Sequence, residues 1–506
     1  MKKILHSGII SFLIILFIQL GVIASLIFWL NEYREYILGA TSVISAILLV
    51  YEINRSSEPA FKYAWIVLIT VLPVFGWLLY IYTQLNVVTN KISKKTESIE
   101  AETVQHLVQN TDVLKEIEET EIWGISKYLE NVAKCPTYKN TSVKYLPVGE
   151  DKFEKMKEEL KRAEHFIFLE YFIVDVKSSM WLEILDILKF KAQQGVEVRL
   201  LYDAMGSLKV FPSECVKQLE DEGIKCKTFK RVTPFLEKYQ NNRDHRKILV
   251  IDGHTAFTGG INIADEYINV VERFGHWKDT AVMLKGEAVK SFTVMFLRMW
   301  NLSESETEDF DNYIVKSTTD SDGYVIPYCD SPIDDENVGE RVYLEIINRA
   351  KNHVCIMTPY LVISHEMQEA LKYAVKRGVD VRIIMPHIPD KNYTLWLARS
   401  YYKRLIKSGV KIFEYKKGFV HAKVTIADAN TAVVGTINYD YRSLYLNYEC
   451  ALLMYNVKEI ENIEKDFITT QSACMEITLD EHKKFNVFGR MVGMVFAMVC
   501  AAYIGC

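Results

Sequence analysis

One pattern occurs twice in this chain, and it limits the fold more than any other feature. His245-Arg246-Lys247 is followed by residues 248–251 and Asp252, then by Gly259-Gly260-Ile261-Asn262. His421-Ala422-Lys423 is followed by residues 424–427 and Asp428, then by Gly435-Thr436-Ile437-Asn438. Both copies read H-x-K-x4-D-x6-G-[GT]-x-N, and every member is displaced by 176 residues. The likeness extends further. Residues 164–169 match 352–357, 195–200 match 378–383 and 223–225 match 409–411, at offsets of 188, 183 and 186. A near-constant offset of this size marks a duplicated domain, because it is far too long for a solenoid. Each half alternates β-branched runs of strand length with helix-period segments such as 180–193 and 367–377. That alternation is the pattern of an α/β layer architecture. The expected fold is a pseudo-twofold pair of α/β halves, 139–320 and 321–475, with a cleft at their seam.

The repeated residues have a shared chemistry. Side chains two apart on a strand face the same way. His245 therefore sits with Lys247, and His421 with Lys423. A Lys beside a His suits a phosphate, supplying a fixed charge and a nucleophile or proton donor near neutral pH. Asn262 and Asn438 add amide donors for the same anion. Asp252 and Asp428 complete the motif and are counted with its catalytic set. Their odd spacing turns them away on a regular strand, which reads as a structural role. Two more carboxylates align, Asp279 and Glu449, following their histidines by 34 and 28 residues. A carboxylate on the distal ring nitrogen of each His fixes its tautomer and stabilises its charged form. These spacings offer no four-ligand zinc site and the lysines repel a cation, so no metal is expected.

Composition narrows the classes. The 506 residues hold 60 basic and 65 acidic side chains, a net charge of −5, which argues against a protein that coats nucleic acid. With 49% hydrophobic and 25% charged residues, wholesale disorder is excluded. Nine cysteines without a C-x-x-C pair exclude a disulfide scaffold and a Cys-rich zinc site.

The N-terminus is of another kind. Residues 8–30 carry no charge, and in a helix they extend about 34 Å, enough to cross a bilayer. No small-x-small cleavage site follows Leu30, so the run reads as an uncleaved anchor. Residues 36–51 form a second apolar run, short for a span, which also fits a buried or re-entrant helix. Residues 63–82 form a third, uncharged, with Pro73 and Gly76 inside it and Trp65, Trp77, Tyr80 and Tyr82 suited to interfaces. The expectation is a membrane region over 1–83 with two or three transmembrane helices. A polar helical linker over 84–138 follows, with helices near the membrane surface. Basic residues divide evenly between the two sides, so the positive-inside rule gives no orientation. The tail, 476–506, ends in an apolar stretch that fits an interfacial helix, a fourth span or a frayed end.

The paired H-x-K-x4-D segments resemble the phospholipase D superfamily. Residues 242–247, 258–267, 275–279, 435–443 and 447–449 are similar to bacterial cardiolipin synthases of the phospholipase D type, as is the stretch through Pro73-Val74-Phe75-Gly76-Trp77. The resemblance covers about 36–475, and Thr436 stands where the wider superfamily often has Ser. It implies a multi-pass protein of the cell membrane that uses no cofactor and takes phosphatidylglycerol and other membrane phospholipids. It also implies a two-step exchange. One His, taken as His245, attacks phosphorus to give a phosphatidyl-histidine. The other, His421, acts as acid and then base, while Lys247, Lys423, Asn262 and Asn438 hold the phosphate charge. The products are cardiolipin and glycerol. A hydrolase or a phosphatidyltransferase with another donor or acceptor shares every one of these residues. Tyr171, Phe172, Trp277 and Tyr360 are candidates for an apolar entrance, with core packing as the alternative for each.

Overall fold

The computed structural model describes residues 31–55, 59–84, 87–229, 241–334 and 336–485, with a few positions between 14 and 25. They fall into two compact units: the smaller takes the described residues up to 91 together with 241–242, and the larger takes the rest. The apolar run 8–30 lies largely, and the tail beyond 485 wholly, outside the described residues.

The larger unit contains the same sheet twice. The first runs, edge to edge, Thr141–Leu146, Ala281–Gly286, Thr255–Gly259, Lys247–Ile251, Phe166–Tyr171, Glu197–Asp203 and Ile224–Phe229. The second runs Tyr324–Asp330, Asn447–Tyr455, Thr431–Gly435, Val424–Ala427, His353–Met357, Asp380–Pro386 and Lys411–Tyr415, and adds Cys474–Glu476 at its far edge. The repeat therefore folds as two α/β halves, as its alternation predicts.

Strand periodicity explains how the halves join. Phe166–Tyr171 is buried at every position. Its even-numbered residues Phe166 and Phe168 enter a core shared by both halves, and Ile167, Leu169 and Tyr171 enter the first half's own core. His353–Met357 repeats this, with Cys355 and Met357 in the shared core and Val354 and Ile356 in the second half's own. Continuous apolar strands are what a sheet covered on both faces requires. The helix Val289–Asn301 lies in the shared core, and Phe292, Phe296 and Leu297 on it are fully buried.

The stretch expected as a linker is packed into this unit. It holds helices Val87–Thr103, Thr111–Ile117 and Trp123–Asn131. Leu107 belongs to the shared core, and Ile117, Ile122, Ile125 and Leu129 to the second half's core. Arg298 Nε donates to Thr103 Oγ1 at 3.0 Å. Its helical apolar spacing marks a protein-facing stripe.

In the smaller unit the second apolar run lies within one long helix. Arg34–Asn54 is 21 residues long, and its residues 35–54 are long and apolar enough to cross a membrane. The sequence reading stopped at Tyr51, but the helix continues through Glu52, which is buried and accepts a 2.6 Å hydrogen bond from Tyr80 Oη. The third run, expected as one span, is two helices, Pro59–Val71 and Pro73–Gln84. Proline lacks the amide that would continue the first helix. A Cβ on Gly76 would lie 2.7 Å from the Leu68 carbonyl oxygen, so this tight junction needs glycine. At 13 and 12 residues, neither helix reaches across a bilayer alone.

Candidate active site

Two short parallel pairings stitch the halves together and build the site. Arg243-Asp244 of the first half pairs with Asn447-Tyr448 of the second. His245 N then donates to the Tyr448 carbonyl at 3.0 Å. Gly418–Val420 of the second half pairs with His276–Lys278 of the first, and His421 N donates to the Lys278 carbonyl at 2.7 Å. The next residues along these ladders are His245 beside Glu449, and His421 beside Asp279. His245 Nδ1 lies 2.9 Å from each Glu449 oxygen, and His421 Nδ1 lies 2.6 Å from Asp279 Oδ2. The sequence aligns each carboxylate with the histidine of its own half. The structure exchanges them, so neither half contains a complete pair.

The pairing decides the protonation. An ionised carboxylate only accepts, so each Nδ1 carries its proton and each Nε2 presents a lone pair. No hydrogen bond among the described residues engages either Nε2. Burial and then Lys423 pull His421 down to about 3. Burial also lowers His245, helped by Lys247 and opposed by Glu449. Burial brings Lys247 down to about 8 and Lys423 to about 7. Burial works against ionised carboxylates too, but His421 and Lys423 hold Asp279 below its usual range, and His245 and Lys247 do the same for Glu449. The site thus holds two neutral imidazoles beside two buried lysines. An entering phosphodiester adds negative charge, raises these proton affinities and takes up protons.

The lysines reach the site differently from the strand geometry expected. Regular strand begins at Lys247 and Val424, so the histidines sit just before it. Each lysine folds back: Lys247 Nζ donates to the His245 carbonyl at 2.5 Å, and Lys423 Nζ donates to the His421 carbonyl and lies 2.9 Å from His421 Nδ1. Asn262 is fixed at both ends of its amide, accepting from Ile173 N at 3.1 Å and donating to Tyr267 Oη at 2.6 Å. Asn438 Oδ1 is buried and takes no hydrogen bond among the described residues.

Asp252 and Asp428 make no hydrogen bond to His245 or His421 among the described residues. Both occupy left-handed turns, at φ 50° and 52°. Asp252 accepts from the amides of Glu164, His165 and Phe166 at 2.7, 2.8 and 2.7 Å. Asp428 accepts from Lys351, Asn352 and His353 at 2.7, 2.7 and 3.0 Å. Each clamps the hairpin behind the motif to the start of the neighbouring strand. Asp252→Ala leaves three amides without their acceptor and is expected to cost about 3 kcal/mol. The loss shows as a lower midpoint of thermal unfolding in detergent.

The position after the first motif glycine differs between halves. Thr436 Oγ1 donates to Glu449 Oε2 and accepts from Cys450 N at 3.0 Å. Its counterpart, Gly260, leaves room for Asp279, whose Oδ1 would lie 2.1 Å from an added Cβ. Gly260→Ala therefore displaces the His421 partner. The expected loss of turnover is about 100-fold with the unfolding midpoint little changed, measured on the purified variant.

Several contacts were not legible in the motifs. Phe172 packs edge-on against His245 at 5.1 Å, and Tyr267, Trp277 and Phe419 surround His421 at 5.5, 5.3 and 5.8 Å. Asn447 Nδ2 donates to Glu449 Oε1 at 3.2 Å. Tyr171 is fully buried over Met156 and Lys152, so it belongs to the core. Tyr360 Oη donates to Asp390 at 2.7 Å, and its ring lies 6.4 Å from Phe419.

Two like α/β halves that share a core and close paired H-x-K motifs over their seam make this a phospholipase D-like protein. The family described as Cardiolipin synthase, PLD-like domain, matches residues 156–300 and 343–470, and one described as Phospholipase D-nuclease N-terminal matches 42–82. The chain belongs to the cardiolipin synthase family. It is 33% identical over 485 residues to a cardiolipin synthase of Alkalihalophilus pseudofirmus, covering 94% of each chain. It is 32% identical over 466 residues to cardiolipin synthase 2 of Bacillus anthracis, covering 90% of each. An uncharacterised protein of Streptococcus mutans is 46% identical over 459 residues, 89% of this chain and 98% of that one. Among solved structures, phosphatidylserine synthase of Haemophilus influenzae aligns with a TM-score of 0.56 at 15% identity, over 76% of this chain and 100% of that one, a likeness of fold.

Proposed function

We propose that the protein makes cardiolipin by phosphatidyl transfer between two phosphatidylglycerol molecules. His245 Nε2 attacks the phosphorus of the first. The P–N bond forms, the bond to the glycerol oxygen breaks, and His421 gives its Nε2 proton to that oxygen. His421 carries that proton because the entering phosphodiester offsets the lysines. Neutral again, it takes the proton from a headgroup hydroxyl of the second phosphatidylglycerol, whose oxygen attacks phosphorus and frees His245. Lys247, Lys423, Asn262 and Asn438 hold the charge that spreads over the phosphate oxygens. The observation that carries this reading is the pair of free Nε2 atoms, each with its Nδ1 anchored by the opposite half's carboxylate. In this reading residues 1–83 form a multi-pass membrane region that keeps the enzyme beside its lipid substrates.

The test supplies phosphatidylglycerol as the only lipid to the full chain purified in detergent, with EDTA, and follows products by mass spectrometry. Cardiolipin and glycerol in equal amounts support the proposal. Phosphatidic acid as the main product replaces it with hydrolysis, and no turnover by folded protein overturns it.

A further inference from the structure

Asp390 lies outside both motifs, on the loop that follows the strand Asp380–Pro386. Its Oδ2 accepts from Tyr360 Oη at 2.7 Å. Its Oδ1 is buried and takes no hydrogen bond among the described residues. A buried carboxylate oxygen is costly unless a donor meets it, so this one is a ready acceptor for a donor that a ligand brings. The loop is fastened on either side of Asp390. His387 N donates to the Tyr415 carbonyl at 3.3 Å, and His387 Nδ1 lies 2.8 Å from Glu414 Oε2. Arg399, on the helix Asn392–Lys407, donates to both oxygens of the same carboxylate at 2.9 and 2.7 Å.

Rings connect this carboxylate to His421. The Tyr360 ring centre lies 6.4 Å from that of Phe419, and Phe419 lies 5.8 Å from His421. Tyr360 packs on the apolar cluster that contains Tyr267, Trp277 and Phe419, the three rings around His421. The His245 side is built otherwise. At the offset of 188 that aligns 164–169 with 352–357, Phe172 matches Tyr360. Phe172 packs edge-on against His245 at 5.1 Å and carries no hydroxyl. At the offset of 183 that aligns 195–200 with 378–383, Ser207 matches Asp390. Its Oγ is occupied at 3.1 Å by Val174 N and at 3.1 Å by the Phe172 carbonyl. One histidine therefore faces a bare phenyl ring, and the other stands beside a phenol and a carboxylate.

We infer that Asp390, steadied by Tyr360, accepts a hydrogen bond from a non-reacting hydroxyl of the glycerol headgroup and so selects polyol headgroups over alcohols with a single hydroxyl. The inference rests on the function proposed above, in which the headgroup alcohol leaves and attacks on the His421 side. One contact serves both steps. The departing glycerol and the attacking phosphatidylglycerol headgroup each carry a hydroxyl beyond the one that reacts at phosphorus. A site that hydrogen-bonds a substrate hydroxyl rejects the analogue without it, because its own buried acceptor is then left unmatched. Tyr360 is a positioning residue here: its hydroxyl takes Oδ2 and leaves Oδ1 for the alcohol.

The test compares headgroups. The full chain in detergent is given phosphatidylglycerol, phosphatidylpropanol, whose headgroup has no free hydroxyl, or phosphatidylethanolamine, whose ammonium can pair with the same carboxylate. The alcohol released in the first turnover is followed, which requires no acceptor. Comparing variants on one lipid cancels the intrinsic differences between the leaving alcohols. Asp390→Ala is expected to lower the phosphatidylglycerol rate about 30-fold and the phosphatidylpropanol rate less than about threefold. Asp390→Asn keeps an acceptor oxygen and loses about fivefold with phosphatidylglycerol. Tyr360→Phe raises the phosphatidylglycerol concentration for half-maximal rate about fivefold and leaves the maximal rate near that of wild type. Thermal unfolding shows that each variant is folded, and Asp390→Asn carries the comparison if Asp390→Ala does not fold. Equal losses on phosphatidylglycerol and phosphatidylpropanol would make Asp390 structural and overturn the inference while the proposed function stands. Faster wild-type release from phosphatidylethanolamine than from phosphatidylglycerol would give the carboxylate an ammonium partner and overturn it as well. If wild type releases no glycerol from phosphatidylglycerol, the proposed function itself fails and the inference with it.

Discussion

His245→Ala and His421→Ala each lower cardiolipin formation by about 10⁴-fold, and the double variant is no slower than either alone. The size follows from the roles. In the proposed mechanism one histidine forms the covalent bond to phosphorus and the other moves the proton, and no neighbour replaces either. Lys247 and Lys423 are engaged by the histidine carbonyls. Asp279 and Glu449 face Nδ1, on the wrong side of the rings. Non-additivity follows because the two groups act in the same step, so removing the second costs nothing further. The measurement is the initial rate in detergent micelles of phosphatidylglycerol, with thermal unfolding showing that each variant is folded. A double variant slower than wild type by the product of the two single losses would mean that the histidines contribute independently and not in one shared step.

The second large effect tests the exchanged carboxylates. An acid is needed to expel glycerol and not to expel p-nitrophenolate, which leaves readily as an anion. A phosphatidyl ester of p-nitrophenol therefore separates the roles in the first-turnover burst. His421→Ala and Asp279→Asn lose about 10³-fold or more with phosphatidylglycerol and regain at least about 100-fold of that with the activated ester. His245→Ala and Glu449→Gln are not rescued, because they lack the nucleophile or its orienting partner. Rescue of Glu449→Gln in place of Asp279→Asn would assign each carboxylate to the histidine of its own half and contradict the 2.9 and 2.6 Å contacts.

That exchange also shows where the sequence stops being legible. The duplication, the α/β halves and the residues of both motifs are visible in one dimension, because each lies within a continuous run of strand and turn. The pairing of Glu449 with His245 is not. It depends on a two-residue parallel ladder, 243–244 on 447–448, and its partner 418–420 on 276–278. Ladders that short leave no periodic signal, and alignment of the halves places each carboxylate with the wrong ring. Asp252 reads as structural from its odd spacing, but its donors, the amides of 164–166, lie 86–88 residues away. In the N-terminal region the helix ends were not legible for a different reason. Hydropathy counts apolar residues and does not see that Pro73 breaks one run into two helices, or that Glu52 is buried with a hydrogen bond from the Tyr80 hydroxyl and the helix runs on through it.

The account stands most directly on a covalent intermediate at His245. Wild-type protein is mixed with phosphatidylglycerol, quenched within the first turnover into alkaline denaturant, where phosphohistidine survives, and mapped by peptide mass spectrometry. The predicted result is a phosphatidyl mass on the peptide containing His245, formed together with one equivalent of glycerol and chased into cardiolipin by further phosphatidylglycerol. Cardiolipin formed with no adduct, or with the adduct on the peptide containing His421, would contradict it.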